Sequence, residues 1–268
     1  MTYKAYFGFK SEPFAKDIAT KDLLKLPSMI GVKERFDYCT RLGGVMAVFG
    51  EVGSGKTTSI RWALSHYHPS DLRSIDIVAN TGSITEFYKQ LAWGLDLAPS
   101  ANSKAVLLAE SKAALKEIAT AKKQRIVILI DEAQLLRREL LAELHTVLNF
   151  DHDVANFLSL ILYGQTTLLD HLQYRGAAPL ASRVMAKSQL KPLSHSEMEE
   201  YINHHVRVAG VKKQLFEPQA ITAIHQGSAG GLRRANQLAL GGLLAAALEK
   251  CDGVTAEHIR TAASELIN

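Results

Sequence analysis

The chain has 268 residues, 47% hydrophobic and 22% charged, which suits one large soluble domain or a core with a smaller appendage. No apolar run approaches the ~20 residues that span a bilayer, and MTYKAYFGFK lacks a signal-peptide pattern, so a cytoplasmic chain without a membrane segment is expected. The net charge of +4 is too small to imply a nucleic-acid partner on its own. It is uneven, however: residues 194–268 hold seven Lys/Arg against eight Asp/Glu, while residues 1–193 carry an excess of five positive charges. Cys39 and Cys251 allow at most one disulfide and show no metal-ligand spacing, which points to reduced thiols. The ten histidines, His204–His205 among them, form no metal-binding spacing and read as structural or solvated.

In chain order, short β-branched runs alternate with segments of helical period. VMAVF (45–49), SIDIVA (74–79), IVILI (126–130), LSLIL (158–162) and MAKSQL (185–190) predict buried strands. Between them, 56–67, 84–97, 104–121 and 135–149 carry apolar residues at three- and four-residue spacing, as amphipathic helices do. Such alternation predicts a mainly parallel sheet covered on both faces. After Pro192 the pattern becomes helical throughout, at 196–208, 218–226, 232–249 and 255–266, the last opening on Thr255, Glu257 and His258 in N-cap style. The expected domains are an N-terminal strap segment (1–43), a core (44–192) and a small helical domain (193–268). Residues 98–104, APSANSK, read either as an ordered nucleic-acid-contacting loop or as a plain linker.

Residues 50–58, GEVGSGKTT, follow the first predicted strand and open the first helix. Gly50, Gly53, Gly55, Lys56 and Thr57 satisfy G-x-x-x-x-G-K-[ST]. Glycines let successive main-chain N–H groups turn inward onto phosphate oxygens, and the helix adds its positive N-terminal end. The phosphate-binding residues are therefore Gly50, Glu51, Val52, Gly53, Ser54, Gly55, Lys56, Thr57 and Thr58. Lys56 supplies charge to the β- and γ-phosphates, and the Thr57 hydroxyl is a Mg²⁺ ligand. IVILIDEAQ (126–134) supplies the carboxylates on what is expected to be an adjacent strand. Asp131 would hold Mg²⁺ and Glu132 would polarise the attacking water, which together predict ATP binding and hydrolysis.

On these motifs the chain resembles an AAA+ ATPase, a P-loop α/β fold with a parallel αβα core followed by an all-helical lid. The branch it resembles holds the type II secretion A-protein ATPases and the transposition-regulator ATPases. The resemblance covers nearly the whole chain and rests on YFGFKSEPF (Tyr6, Phe7, Gly8, Phe9, Pro13, Phe14), Asp131 to Gln134, Leu148-Asn149-Phe150 and Gly164-Gln165. It implies that Gln165 is a sensor beside the acidic strand, and that Arg183 is a finger reaching a neighbouring subunit's nucleotide. It also implies that Arg233, rather than Arg234, is the second sensor, with Asn236 three residues on. Leu232 stands where the family has proline. Phe9 is expected against adenine or in a hydrophobic strap, and Ile30, Gly31 and Arg35 fall where the class has a strap before the P-loop.

The motifs do not name what receives the energy. One reading is a homo-oligomeric ring or helical filament that binds duplex DNA without sequence preference and regulates a DDE-type transposase. Lys104, Lys122, Lys123, Arg137 and Arg138 are its candidate phosphate contacts, although LRRE and AKKQR read equally as solvated faces. A second reading is an assembly ATPase of secretion or pilus biogenesis, disfavoured by a chain that ends at Asn268 without a membrane or wall-binding segment. A third is a nucleotide-gated scaffold with negligible turnover, against which the intact Glu132 argues.

Overall fold

In the computed structural model, which describes residues 2–15, 17–98, 103–150, 153–154 and 156–266, the apolar runs are parallel strands and most of the periodic segments are helices. The N-terminal half runs α1 (Tyr3–Phe7), α2 (Pro27–Leu42), β1 (Gly44–Gly50), α3 (Lys56–Leu64), β2 (Leu72–Val78), α4 (Ile84–Gly94), α5 (Lys104–Ala121) and β3 (Arg125–Asp131). There follow α6 (Arg138–Glu143), α7 (His145–Leu148), β4 (Asn149–Phe150), β5 (Asp153–Val154), β6 (Leu158–Gly164), α8 (Thr167–Gln173), α9 (Ala178–Ala181) and β7 (Val184–Leu190). The last elements are α10 (His195–Val208), α11 (Pro218–Ser228), α12 (Leu232–Leu248) and α13 (Ala256–Glu265). They divide between two units, one of Pro27–Gly50 and Lys56–Leu190, the other of Met1–Leu26, Glu51–Gly55 and Lys191–Asn268.

The first unit is built on a five-stranded parallel sheet of order β2-β3-β6-β1-β7. Every residue of β1 and β6 is buried, because helices cover both faces of the sheet. Alternate residues feed separate cores. Val45, Ala47, Ile128, Ile130, Leu160 and Leu162 pack with Phe87, Tyr88 and Leu91 of α4 and with Leu107 and Leu115 of α5. Met46, Val48, Val127, Leu129 and Ile161 pack with Val32, Phe36 and Cys39 of α2 and Ile60 of α3. Burial raises the Cys39 thiol to about 11, keeping it a protonated apolar group.

Three expectations are corrected here. The acidic strand β3 is not adjacent to β1, because β6 lies between them. Parallel neighbours are joined by crossovers, so chain order does not dictate spatial order. The strap expected before the P-loop is the helix α2, whose buried Met29, Val32, Phe36 and Cys39 recur at helical spacing behind a Pro at the first position. The single helix expected over 135–149 is instead a 3₁₀ turn (Ala133–Leu135), α6 and α7. Leu136 and Arg137 are extended at the break, and Arg137 Nε donates to Thr81 O at 2.7 Å, a tertiary bond that local periodicity does not encode. Residues 99–102 of the APSANSK segment lie outside the described residues.

The second unit holds α1 and α10 to α13. Its buried apolar residues include Met198, Ile202 and Val206 of α10, Ile221 and Ile224 of α11, Leu238 and Leu243 of α12, and Ile259 of α13. Ser194 and Glu197 cap α10 reciprocally, and Thr255 and His258 do the same for α13, as the N-cap pattern predicts. The N-terminal arm is fastened to α10 by two adjacent histidines. His204 Nε2 donates to Asp22 O at 2.7 Å, and His205 Nδ1 donates to Pro13 O at 2.8 Å, with Phe14 stacked on the His205 ring. Burial lowers the His205 imidazole to about 4, against a gain from the Pro13 carbonyl, so it is neutral at pH 7. No helix among the described residues is long and apolar enough to cross a membrane.

Candidate nucleotide site

In a parallel sheet all strands end at the same edge, so β1, β3 and β6 bring Gly50, Asp131 and Gly164 to one side of the first unit. That edge, where strand order departs from chain order, is where open α/β sheets take ligands. Lys56 opens α3, is 8% exposed, and its Nζ donates to Gly50 O at 2.9 Å. Thr57 follows on the exposed side, and its Oγ1 donates to Asp131 Oδ2 at 3.3 Å. A motif residue and an acidic residue 74 positions apart in the chain thus share one hydrogen bond.

Asp131 also accepts the Glu132 N–H at 2.7 Å on Oδ1. Burial raises its carboxyl above the ordinary carboxylate range; the Glu132 N–H, Thr57 and Lys56 pull it back, and the Glu132 charge adds to the rise. A hydroxyl and a carboxylate oxygen are hard donors, which fits Mg²⁺, and a bound cation would lower that carboxyl in turn. Tyr163, buried one residue before the end of β6, is raised by burial and by the charges of Asp131, Asp76 and Glu132, and remains a phenol.

Glu132 turns off the strand in the left-handed region, at φ +52°. Its Oε2 accepts from Gln134 Nε2 at 2.6 Å, and Gln134 Oε1 accepts the Gln165 N–H at 3.0 Å. Gln134 and Gly164 were not among the residues read from sequence as functional, although both stand inside quoted motifs. Gln165 is half-buried at the end of β6, beside β3, with its main chain tied to the acidic turn.

In the second unit, Gly53 and Gly55 adopt φ of +78° and +92°, conformations that favour glycine. A Cβ on Gly53 would stand 2.5 Å from the Cβ of Arg233, whose N–H donates to Gly53 O at 3.2 Å. Arg233 is exposed, and Arg234 is half-buried. Asn236 is engaged by Tyr201, whose hydroxyl donates to its Oδ1 at 2.9 Å. Phe9 is 8% exposed and meets Tyr3 and Phe7 edge to face.

Three further predicted residues, Arg183, Lys104 and Arg138, have intramolecular partners. Arg183 donates to Pro179 O at 2.6 Å and to Asn149 Oδ1 at 3.0 Å. Lys104 pairs with Glu143 at 2.9 Å, and the Arg138 guanidinium lies 5.0 Å from the Tyr174 ring centre.

Residues 40–172 match the family model described as AAA domain. Over 247 residues, 91% of this chain, the sequence is 28% identical to the General secretion pathway protein A of Aeromonas hydrophila. The chain spans 45% of the length of that relative. The Aeropyrum pernix ORC2 protein, in its ADPNP–ADP complexes, aligns with a TM-score of 0.71 at 16% identity, over 96% of this chain and 72% of the other. The Aeropyrum pernix ORC1 protein in complex with DNA aligns with a TM-score of 0.71 at 16% identity, over 96% and 69%. At that identity the likeness is one of fold: a P-loop parallel sheet with a helical C-terminal region.

Proposed function

We propose, for a chain that carries an AAA domain on a P-loop AAA+ fold, that it binds Mg²⁺–ATP and hydrolyses it as one subunit of a homo-oligomer. The observation that carries this reading is the Thr57–Asp131 hydrogen bond, with Glu132 next in the chain. Residues 50–58 hold the phosphates through main-chain N–H groups and the Lys56 ammonium. Thr57 and Asp131 hold the metal, which would offset negative charge on the β- and γ-phosphates. Glu132 takes a proton from the attacking water. Gln165 orients that water, and Arg233, fixed beside Gly53, adds positive charge near the phosphates. Arg183 reaches a neighbouring subunit's nucleotide, for which it must leave Pro179 and Asn149.

For the recipient of that energy, we propose duplex DNA coated by a ring or filament that regulates a transposase. The excess of positive charge in residues 1–193 supports it. Lys122 and Lys123 are exposed and are the first contacts to test. The similarity to a general secretion pathway protein favours a second reading, an assembly ATPase of secretion. Electron microscopy of the chain with duplex DNA and a non-hydrolysable ATP analogue separates the two. Ordered assemblies that need both ligands support DNA coating, and no association with DNA at low salt removes it. Phosphate release measured with Mg²⁺–ATP tests the shared ATPase reading, which fails if Lys56→Ala turns over as fast as the wild type.

A further inference from the structure

The hydrogen-bonded chain at the end of β3 runs through a side chain for which the ATPase reading has no use. Gln134 is 8% exposed and reaches in two directions, donating through Nε2 to Glu132 Oε2 at 2.6 Å and accepting the Gln165 N–H on Oε1 at 3.0 Å. A main-chain N–H can only donate and an ionised carboxylate can only accept, so the amide has one orientation that satisfies both partners. Its oxygen also occupies the place of a side chain on the neighbouring strand. A Cβ built on Gly164 would collide with Gln134 Oε1, so the strut exists only because β6 ends on glycine.

We infer that Gln134 is the positioning residue for hydrolysis, holding one oxygen of Glu132 and leaving the other to the attacking water. The inference rests on the hydrolytic reading of Glu132 given above. Glu132 sits past the end of its strand on a left-handed residue, where the backbone alone does not fix the carboxylate. A base must be held to within a fraction of an ångström of its productive place, and a short bond from a buried amide does so. The second bond gives the strut a fixed footing on β6. Because that footing is the N–H of Gln165, any shift of the β6 tip when a γ-phosphate is bound or lost reaches Glu132 through one side chain.

The test is a double-mutant cycle on the full-length chain, read as phosphate release with Mg²⁺–ATP and as binding of a fluorescent ATP analogue. Gln134→Met keeps the volume and removes both hydrogen bonds. Gln134→Glu is isosteric, keeps an acceptor for Gln165 and replaces the donor toward Glu132 with a second carboxylate oxygen, which repels it. Both are expected to lower kcat roughly 10- to 100-fold, with KM and analogue affinity within about threefold of wild type. Gly164→Ala is expected to do the same by displacing the amide oxygen. In the Glu132→Gln background, Gln134→Met is expected to cost less than about twofold more, because the group it acts through is already gone. Losses that multiply in the double variant, or a wild-type kcat in Gln134→Glu, overturn the positioning role while leaving the ATPase reading intact. A wild-type chain that binds the analogue and releases no phosphate overturns the hydrolytic reading, and the role of Gln134 falls with it.

Discussion

Two clusters of ligand-type side chains in this molecule invite comparison, one at the end of β3 and one at the start of α13. At the first, Thr57, Asp131, Glu132 and Gln134 come together. At the second, Glu249, Cys251 and His258 bring a carboxylate oxygen, a thiol and an imidazole nitrogen within 4.8 Å of one another. Counted as donors, the second is the better metal site. Its hydrogen bonds say otherwise. His258 Nδ1 accepts the Thr255 N–H at 3.0 Å, which puts the ring proton on Nε2, where Glu249 Oε2 takes it at 3.1 Å. A metal at Nε2 would need that proton moved to Nδ1, against the N–H of the cap, so the cluster is a helix cap with its imidazole spoken for. At the end of β3 the donors are hard oxygens, and the local bonds leave Asp131 raised by burial and Glu132 on a left-handed residue. A carboxyl raised by burial and a left-handed residue at a strand end are features expected of a ligand site.

The comparison can be broken most severely at Lys56. Lys56→Ala is expected to weaken ATP-analogue binding by on the order of a hundredfold or more, measured by fluorescence titration. Full affinity would end the phosphate-loop reading. Glu132→Gln should keep binding and slow phosphate release by on the order of 10²- to 10⁴-fold, and it should lengthen the life of any oligomer. Arg183→Ala should lower turnover about tenfold or more, and only at concentrations where the chain assembles. The same loss in dilute monomer would assign Arg183 to its own subunit.

Smaller effects sharpen the second unit's side. His205 is lowered to about 4 when folded against about 6.5 unfolded, so the unfolded chain binds the extra proton between those values and stability falls as pH drops through that window. From pH 7 to 5 the loss from this group is roughly 2 kcal/mol, and His205→Gln should remove it from the pH dependence of urea unfolding. An unchanged slope would contradict the buried neutral imidazole. His258→Ala should cost about 1 kcal/mol, a cap's worth, and Zn²⁺ should leave the wild-type melting temperature where it is. Tight zinc binding accompanied by a rise of several degrees would make the second cluster a metal site after all.

Much of this was readable in one dimension. The runs at 45–49, 126–130 and 158–162 are strands because β-branched apolar segments of that length bury on both faces, and α5 is found over Lys104–Ala121 as its periodicity predicts. Thr255 marks the start of α13 because a cap is a local bond between residues three apart. The α2 signal is also in the sequence, at Met29, Val32, Phe36 and Cys39, four apolar residues at helical spacing. The break at Leu136–Arg137 had no local signature, since what stabilises it is a carbonyl at residue 81.

From sequence alone came the P-loop, the acidic pair and the alternation of strand and helix, because each is written in neighbours whose spacing matches a turn, a pleat or a helical period. Tertiary structure decided that β6 stands between β1 and β3, that Thr57 meets Asp131, and that Gln134 bridges Glu132 to Gln165 across the place a Gly164 side chain would fill. Those contacts join residues tens of positions apart, and only packing of the helices onto both faces of the sheet selects the strand order that brings them within reach.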